Sequence, residues 1–245
     1  MKEPRKMNQL LIMIPAYNEA QNIERVVDEL IGKYPQYDYV IINDGSSDDT
    51  RKICARRGYN MMDLPVNVGL SGAIKSGMRY ANYYGYDYVV QIDGDGQHDP
   101  KYIADMMEEM QSSGCDIVIG SRFKEKKKPF TPRMIGSHLI TAAIALTTRR
   151  HIGDVTSGMR LFNKKMIKQF GYDMHYSPEP DTLAFLLNSG VEIREVQVEM
   201  YERTAGTSYL NLWNSIWYMM KMMFSILLFQ WVRRRPTAEE SGGAG

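Results

Sequence analysis

Short apolar runs recur along the first 120 residues, separated by longer stretches that mix apolar and polar positions. The compact runs cover 10–14, 39–42, 60–64, 88–92 and 116–119, each of strand length. The stretches between them cover 19–32, 48–58, 71–84 and 100–113, each long enough for a helix. Gly32, Gly58, Gly85 and Gly114 close these four stretches, where a residue without a Cβ accepts the left-handed turn that ends a helix. The alternation predicts an α/β fold of Rossmann-like type, a mostly parallel sheet with helices on both faces. Further along, 139–148, 164–170 and 180–188 read as helices, and 156–162 and 191–198 as strands. There is no internal repeat and no obvious linker, so residues 1–208 read as one domain.

In sheets of this kind ligands bind beyond the carboxyl ends of the strands. Those ends carry Pro15-Ala16-Tyr17-Asn18-Glu19, Asn43-Asp44-Gly45-Ser46-Ser47-Asp48, Asn67-Val68-Gly69, Asp93-Gly94-Asp95-Gly96-Gln97-His98 and Gly120-Ser121-Arg122. One polar loop is ordinary, but five on one sheet edge imply a polar site. Asp93 and Asp95 flank a glycine after an apolar strand, so their carboxylates can converge on a hard cation such as Mg²⁺ or Mn²⁺. Gln97 adds an oxygen and His98 a nitrogen, although Asp-x-Asp also suits a plain turn. Ser46 or Ser47 can cap the helix that starts near Asp48. Asp44, ahead of the glycine, is better placed to touch a ligand. Asn18 can cap, Tyr17 can stack on a base and Glu19 can accept hydrogen bonds from one. The basic run Lys124, Lys126, Lys127, Lys128 and Arg133 reads either as a solvated loop or as an anion-attracting flap. Pro129 and Pro132 discourage regular structure there.

The ordered set of motifs resembles the family 2 glycosyltransferases of GT-A fold over roughly residues 8–210. Asp154-Val155-Thr156-Ser157-Gly158-Met159-Arg160 and Arg203-Thr204-Ala205-Gly206-Thr207-Ser208 extend the match. Gln97-His98 and the Thr-Ser-Gly-x-Arg segment point to the polyprenyl-phosphate branch, which includes the dolichol-phosphate mannose synthase-like enzymes. Pro178-Glu179-Pro180 departs from that synthase and looks like a bacterial subgroup serving cell-surface polysaccharides. The resemblance implies inverting transfer of a sugar from a nucleotide diphosphate donor, with UDP favoured, to a membrane polyprenyl phosphate. By position, Pro15, Tyr17, Glu19, Asp44 and Ser46 would hold the nucleoside, and Asp93 the ribose or sugar side. Asp95 and Gln97 would bind Mg²⁺ or Mn²⁺ with the diphosphate. Arg122 and Arg133 would hold the acceptor phosphate, and Arg203 would face the donor diphosphate. Asp154 is the leading acceptor-side carboxylate, with Glu179 and Asp181 as rivals. Two other readings stand beside this one: a family 2 transferase acting on a sugar hydroxyl of a growing polysaccharide, and a non-catalytic nucleotide-sugar-binding subunit.

Residues 209–232 have a second pattern. Asn211, Asn214, Tyr218, Lys221 and Ser225 recur at spacings of 3, 4, 3 and 4, one narrow stripe on a helix. Trp213, Trp217, Met220, Phe224, Leu227, Leu228 and Trp231 fill the broad opposite side, and Arg233, Arg234 and Arg235 follow. Lys221 argues against a lone membrane span, so residues 209–235 read as an amphipathic membrane-interface helix, with Met219, Met220, Met222 and Met223 offering a deformable surface to an isoprenoid tail, and packing on the protein core stands as the next reading. Residues 236–245 read as a flexible tail. The expected location is peripheral, on the cytoplasmic side of the membrane, with a small membrane protein as a further candidate partner.

Composition narrows the classes. The chain has 245 residues, with 30 Lys+Arg against 29 Asp+Glu, a net charge of +1. Charged residues at 24% and hydrophobic residues at 44% are globular values, and the absence of a basic excess argues against a nucleic-acid partner. Two cysteines, Cys54 and Cys115, cannot build a disulfide framework or a cysteine-rich zinc site. The apolar run 10–14 stops at Pro15, short of the roughly 7–15 residues of an export signal.

Overall fold

The structure, a computed structural model, describes residues 9–129, 132–173, 179–201 and 222–227. Seven strands form one sheet: β1 (Leu10–Ala16), β2 (Asp38–Asn43), β3 (Met61–Asp63), β4 (Tyr88–Gln91), β5 (Ile117–Ser121), β6 (Arg160–Asn163) and β7 (Ile193–Gln197). Their order is β3-β2-β1-β4-β6-β5-β7. Every pairing is parallel except those of β6, which runs antiparallel to both β4 and β5. The fold class read from the sequence is therefore the observed one.

The strands are apolar on both faces because both faces are covered. Along β1 successive side chains point to opposite sides. Leu11 and Met13 join a core with Ala73 and Ile74 of α3 (Gly69–Tyr84), Ile140 and Ile144 of α5 (Pro132–Thr148), Met166 of α6 (Lys164–Lys168) and Leu183 of α7 (Pro180–Asn188). Leu10, Ile12 and Ile14 join a second core with Ile23 and Val27 of α1 (Ile23–Lys33), Cys54 of α2 (Thr50–Arg57) and Ile103 and Met106 of α4 (Ile103–Ser113). Full burial of each aliphatic side chain is worth about 1.5–3 kcal/mol, so this two-sided burial makes the sheet a firm base for its loops. Cys54 and Cys115 are free and buried, and burial pushes the Cys54 thiol up to about 11.

Several boundaries move, each for a physical reason. Gly58, Gly85 and Gly114 do cap helices in the left-handed conformation, with φ of 66°, 76° and 67°. Gly32 instead lies inside the last turn of α1, which Tyr34 ends by donating its N–H to the Leu30 carbonyl. Helix α1 begins only at Ile23, because the residues after β1 are engaged in the site loop. Pro132 opens α5 rather than breaking it: a first-turn N–H has no helical acceptor, so its loss costs little. Strand β6 begins at Arg160, leaving 154–158 as a loop on the polar edge.

Residues 222–227 form a helical turn whose Met222 and Ile226 are buried in the α5–α7 core. Met222 is thus spent on the protein interior and not on a lipid tail. Ser225 Oγ donates to Asp181 Oδ2 (2.9 Å), so the one described residue of the polar stripe faces the protein. Phe224 and Leu227 are exposed. The rest of the expected 209–235 helix, the expected tail at 236–245 and Arg203 lie outside the described residues, as does the Arg133 side chain. Among the described residues no helix is long and apolar enough to cross a membrane.

Helix α3 lies so close to the sheet that a Cβ on Gly77 would collide with Met13 Sδ and come within 3.3 Å of Ile42 Cγ1. Overpacking of this kind costs about 1–3 kcal/mol, more than the ~1 kcal/mol that alanine gains over glycine inside a helix. Gly77→Ala is therefore expected to lower the melting temperature by several degrees in thermal unfolding.

Candidate functional site

The loops after β1 and β2 are laced together through Asn18. Its backbone is left-handed (φ 57°), and its Oδ1 accepts the N–H groups of Ser47 (2.9 Å) and Asp48 (3.3 Å). Its own N–H donates to Ser46 Oγ (3.0 Å), which in turn donates to Asn43 Oδ1 (2.6 Å). Ser46 thus ties loops together and caps no helix; Asp49 is the N-cap residue of α2. Asp44 is buried and accepts the Val68 N–H at 2.7 Å, which pins the loop after β3. Gly45 sits between them at φ 61°, where a Cβ would lie 2.5 Å from the Asn67 nitrogen. Tyr17 is 41% exposed, with its ring available for stacking. Glu19 Oε2 accepts from Asn22 Nδ2 at 2.8 Å. Pro15 lies at the end of β1, its carbonyl 3.4 Å from where a Gly94 Cβ would stand. The five expected nucleoside residues therefore share adjoining loops.

The loop after β4 is rigid by its own bonds. Buried His98 accepts the Asp93 N–H on Nδ1 (3.0 Å), so that nitrogen's lone pair is already used. Asp95 is buried and its Oδ1 accepts the Gln97 N–H at 3.0 Å. The Gln97 amide nitrogen points to the Tyr201 carbonyl (3.4 Å), which leaves the amide oxygen for other partners. Carboxylate and amide oxygens are the donors that Mg²⁺ and Mn²⁺ prefer, and such ions commonly complete their shells with substrate phosphate and water. The residues present fit the group.

Beside Asp93 opens a cavity of about 490 Å³, lined by Gly69 and Ser71 of α3, by Gln91 and Asp93, and by Thr156, Gly158 and Glu179. A Cβ at Gly158 would stand 2.8 Å from Asp93 Oδ2, so only glycine lets the 156–158 loop cross this carboxylate. That loop is held from below by Arg160, which is buried and donates to the carbonyls of Ser157 (3.0 Å) and Val155 (3.2 Å).

On the other side of Thr156 stands an ion pair. Asp154 is fully buried; its Oδ2 accepts Arg122 Nε (2.7 Å) and the Arg122 N–H (3.1 Å), and its Oδ1 accepts Arg122 Nη2 (2.9 Å). The hydroxyl of Thr156 also donates to Asp154 Oδ1 at 3.1 Å. Burial alone would raise the Asp154 pKa, but the hydrogen bonds and charge of Arg122 outweigh it and hold the carboxyl below the usual 3.8. A carboxylate so saturated makes a poor base; Asp154 is instead the counter-ion that fixes Arg122. Of its two rivals from the sequence, Glu179 lines the cavity, while Asp181 is buried and accepts from Ser225. Arg122 keeps 36% of its side chain exposed, and its Nη1 makes no hydrogen bond among the described residues. Lys128 lies nearby, its Nζ 5.4 Å from the Phe123 ring centroid where Arg122 Cζ lies at 5.2 Å, and burial lowers its pKa.

The sequence reading did not single out Gln91, Ser71 or the bare backbone at Gly158 as parts of this cavity. Gln91 had a visible signal, a polar residue inside the apolar run 88–92. Ser71 had none, and Gly158 stood out only as part of the Thr-Ser-Gly-x-Arg segment, since only the tertiary fold sets them beside Asp93.

Fold and site together define a GT-A glycosyltransferase. Residues 11–171 match the model of glycosyl transferase family 2, and the chain belongs to that family. It is similar to the polyprenol monophosphomannose synthase of Mycolicibacterium smegmatis, with 24% identity covering 84% of this chain and 83% of that protein. It is also similar to the UDP-N-acetylglucosamine–dolichyl-phosphate N-acetylglucosaminyltransferase of Methanococcus voltae, with 28% identity covering 82% and 90%. Its fold matches glucosyl-3-phosphoglycerate synthase from Mycobacterium tuberculosis in complex with Mn²⁺, UDP-glucose and phosphoglyceric acid. The TM-score is 0.67, at 17% identity over 95% of this chain and 82% of that one.

Asp154→Asn leaves Arg122 without its counter-charge and is expected to lower the melting temperature at neutral pH. A depressed carboxyl pKa contributes stability that is fully present above the unfolded value and is lost as pH falls through the folded one. The wild-type and variant melting temperatures should therefore stay apart down to pH 3.8 and converge only below it.

Proposed function

We propose that this chain transfers a sugar, with inversion, from a nucleotide diphosphate sugar to the phosphate of a membrane polyprenol for cell-surface glycan assembly. One observation carries the reading: a single cavity is lined by Asp93, from the loop after β4, and by Thr156, whose hydroxyl accepts from Arg122 Nη2 (3.1 Å) and so ties the cavity wall to the Arg122–Asp154 pair. The Asp93 side suits a donor diphosphate with its cation. The Arg122 side suits an anionic acceptor, because a guanidinium binds phosphate through paired N–H groups. The named activities of the Mycolicibacterium and Methanococcus relatives, both on polyprenyl-type phosphates, support the acceptor. The UDP named for the Methanococcus relative and for the Mycobacterium structure supports a UDP-sugar as donor.

In this reading Tyr17 stacks on the base, while Pro15, Glu19, Asp44 and Ser46 shape the nucleoside pocket. Asp93 holds the ribose or sugar side. Asp95 and Gln97 would hold Mg²⁺ or Mn²⁺, which when bound offsets the charge that grows on the leaving diphosphate. Arg122 orients the acceptor phosphate, with Arg133 as its second cation, and Arg203 faces the donor diphosphate. A phosphate acceptor is ionised at neutral pH, so the saturated state of Asp154 is no obstacle. The second reading, transfer to a sugar hydroxyl, gains from one observation: Glu179 lines the cavity, where a general base would sit.

A peripheral position on the cytoplasmic face of the membrane agrees with two exposed apolar sets. Ile135, Leu139 and Leu146 stand on α5 at spacings of 4 and 7, one helical stripe. Phe224 and Leu227 stand on the turn at 222–227, whose polar Ser225 faces inward.

The decisive experiment offers several nucleotide sugars with a short polyprenyl phosphate and Mn²⁺ or Mg²⁺ and reads lipid-linked product by mass spectrometry. Product is expected with a UDP-sugar, to vanish with chelator and to return with added metal. A sugar-hydroxyl product, formed without lipid phosphate and lost in Glu179→Gln, would establish the second reading instead. Asp95→Ala is expected to cut transfer at least ~100-fold, the scale of losing one electrostatic group at a transition state, while nucleotide binding persists.

A further inference from the structure

Strand β7 is the outermost strand beside β5, and Glu195 and Gln197 are two residues apart along it. Residues at that spacing share one face of a strand, about 7 Å apart. Glu195 is half-buried, and among the described residues no cation lies within ion-pair distance of it, Lys128 acting on it only from farther off. Its direct partners are two peptide groups: Oε2 accepts the Gly153 N–H at 2.9 Å and Oε1 the Asp154 N–H at 3.0 Å. Gln197 grips the neighbouring loop, its Nε2 donating to the Arg122 carbonyl (3.1 Å) and its Oε1 accepting the Glu125 N–H (2.9 Å). Arg122 is therefore fixed three times. Asp154 holds its guanidinium, Gln197 holds its backbone, and Glu195 holds the peptide that carries Asp154.

We propose that Glu195 and Gln197 are positioning residues that set the Arg122 guanidinium for the acceptor phosphate. The inference rests on the reading of Arg122 given above. A cavity of about 390 Å³ opens against Glu195, walled in part by Lys124, Arg149 and Arg194. Packing therefore does not seal this carboxylate in place; the two N–H bonds do. The spacing of β7 then acts as a ruler between the loop after β5 and the loop before β6. Neither residue touches substrate, and both act through Arg122.

The test measures transfer kinetics of Glu195→Ala, Glu195→Gln and Gln197→Ala, with Glu199→Gln as an exposed control on the same segment. A displacement of about 1 Å at a positioned group costs on the order of 100-fold. Glu195→Ala is expected to lower kcat/KM for the polyprenyl phosphate by that order, with the donor KM and UDP binding unchanged. Glu195→Gln keeps one carbonyl oxygen and should recover part of the loss even if the alanine variant folds poorly. In an Arg122→Ala background, Glu195→Ala should add little, because the two act on one interaction. Equal losses in donor and acceptor kinetics, or full additivity with Arg122→Ala, would show a merely structural role and overturn the proposal. If Arg122→Ala alone leaves acceptor kinetics intact, the acceptor reading of Arg122 fails and the positioning role falls with it. If Arg122→Ala is impaired but Glu195→Ala and Gln197→Ala are not, only the positioning role fails.

Discussion

A carboxylate without access to water must be satisfied in full, and Asp154 is the place where this fold meets that demand. Leaving such a charge unpaired would cost several kcal/mol, so its neighbours are not free to vary. The Arg122 backbone, the Arg122 guanidinium and the Thr156 hydroxyl all converge on it. Two loops 32 residues apart along the chain are thereby locked to one point. The same bonds orient one face of the guanidinium inward and leave Nη1 without a partner among the described residues. A site that binds an anion needs this kind of prior arrangement, because ordering a free arginine would consume part of the binding energy.

The antiparallel strand β6 explains how Asp154 reaches the edge where the parallel strands end. Strands β1, β2, β4 and β5 each deliver the residues that follow them. Strand β6 runs the other way, so it delivers the residues that precede it. Loop 154–158 is thus inserted between the loop after β4, which carries Asp93, and the loop after β5, which carries Arg122. Gly158 permits the close crossing over Asp93, and Arg160 secures it from the core side. One strand reversal is what turns a row of loops into a two-sided cleft.

Much of this was legible along the chain because it is local. Apolar runs report buried strands directly, and left-handed glycines at 58, 85 and 114 report helix ends through their own φ. The polar residues of the first, second and fourth strand ends are contiguous in sequence, so Tyr17, Asp44 and Asp95 could be found there. Local rules failed where tertiary context decides. Gly32 looks like a helix end but is inside one, and Pro132 looks like a break but starts a helix. Asp154 was visible as an acidic residue before a motif, yet its saturation by Arg122 depends on a contact 32 residues away. Glu195 gave no signal at all, since an acid in an edge strand ordinarily faces water.

The loop after β4 has a mechanical connection of its own. His98 bridges to Met200, Tyr201 exchanges bonds with Gln97 through backbone and side chain, and the Tyr201 hydroxyl reaches Asp99. These bonds tie the loop to residues 198–201. Tyr201 is followed two residues later by Arg203. Thermodynamic linkage then works in both directions. Any free energy that a ligand on this loop spends in steadying residues 198–201 is returned, by the same factor, to a ligand that grips 198–201 themselves. A bridge of a few residues thus makes the loop after β4 and residues 198–201 one thermodynamic unit, although 104 positions separate Gln97 from Tyr201 along the chain.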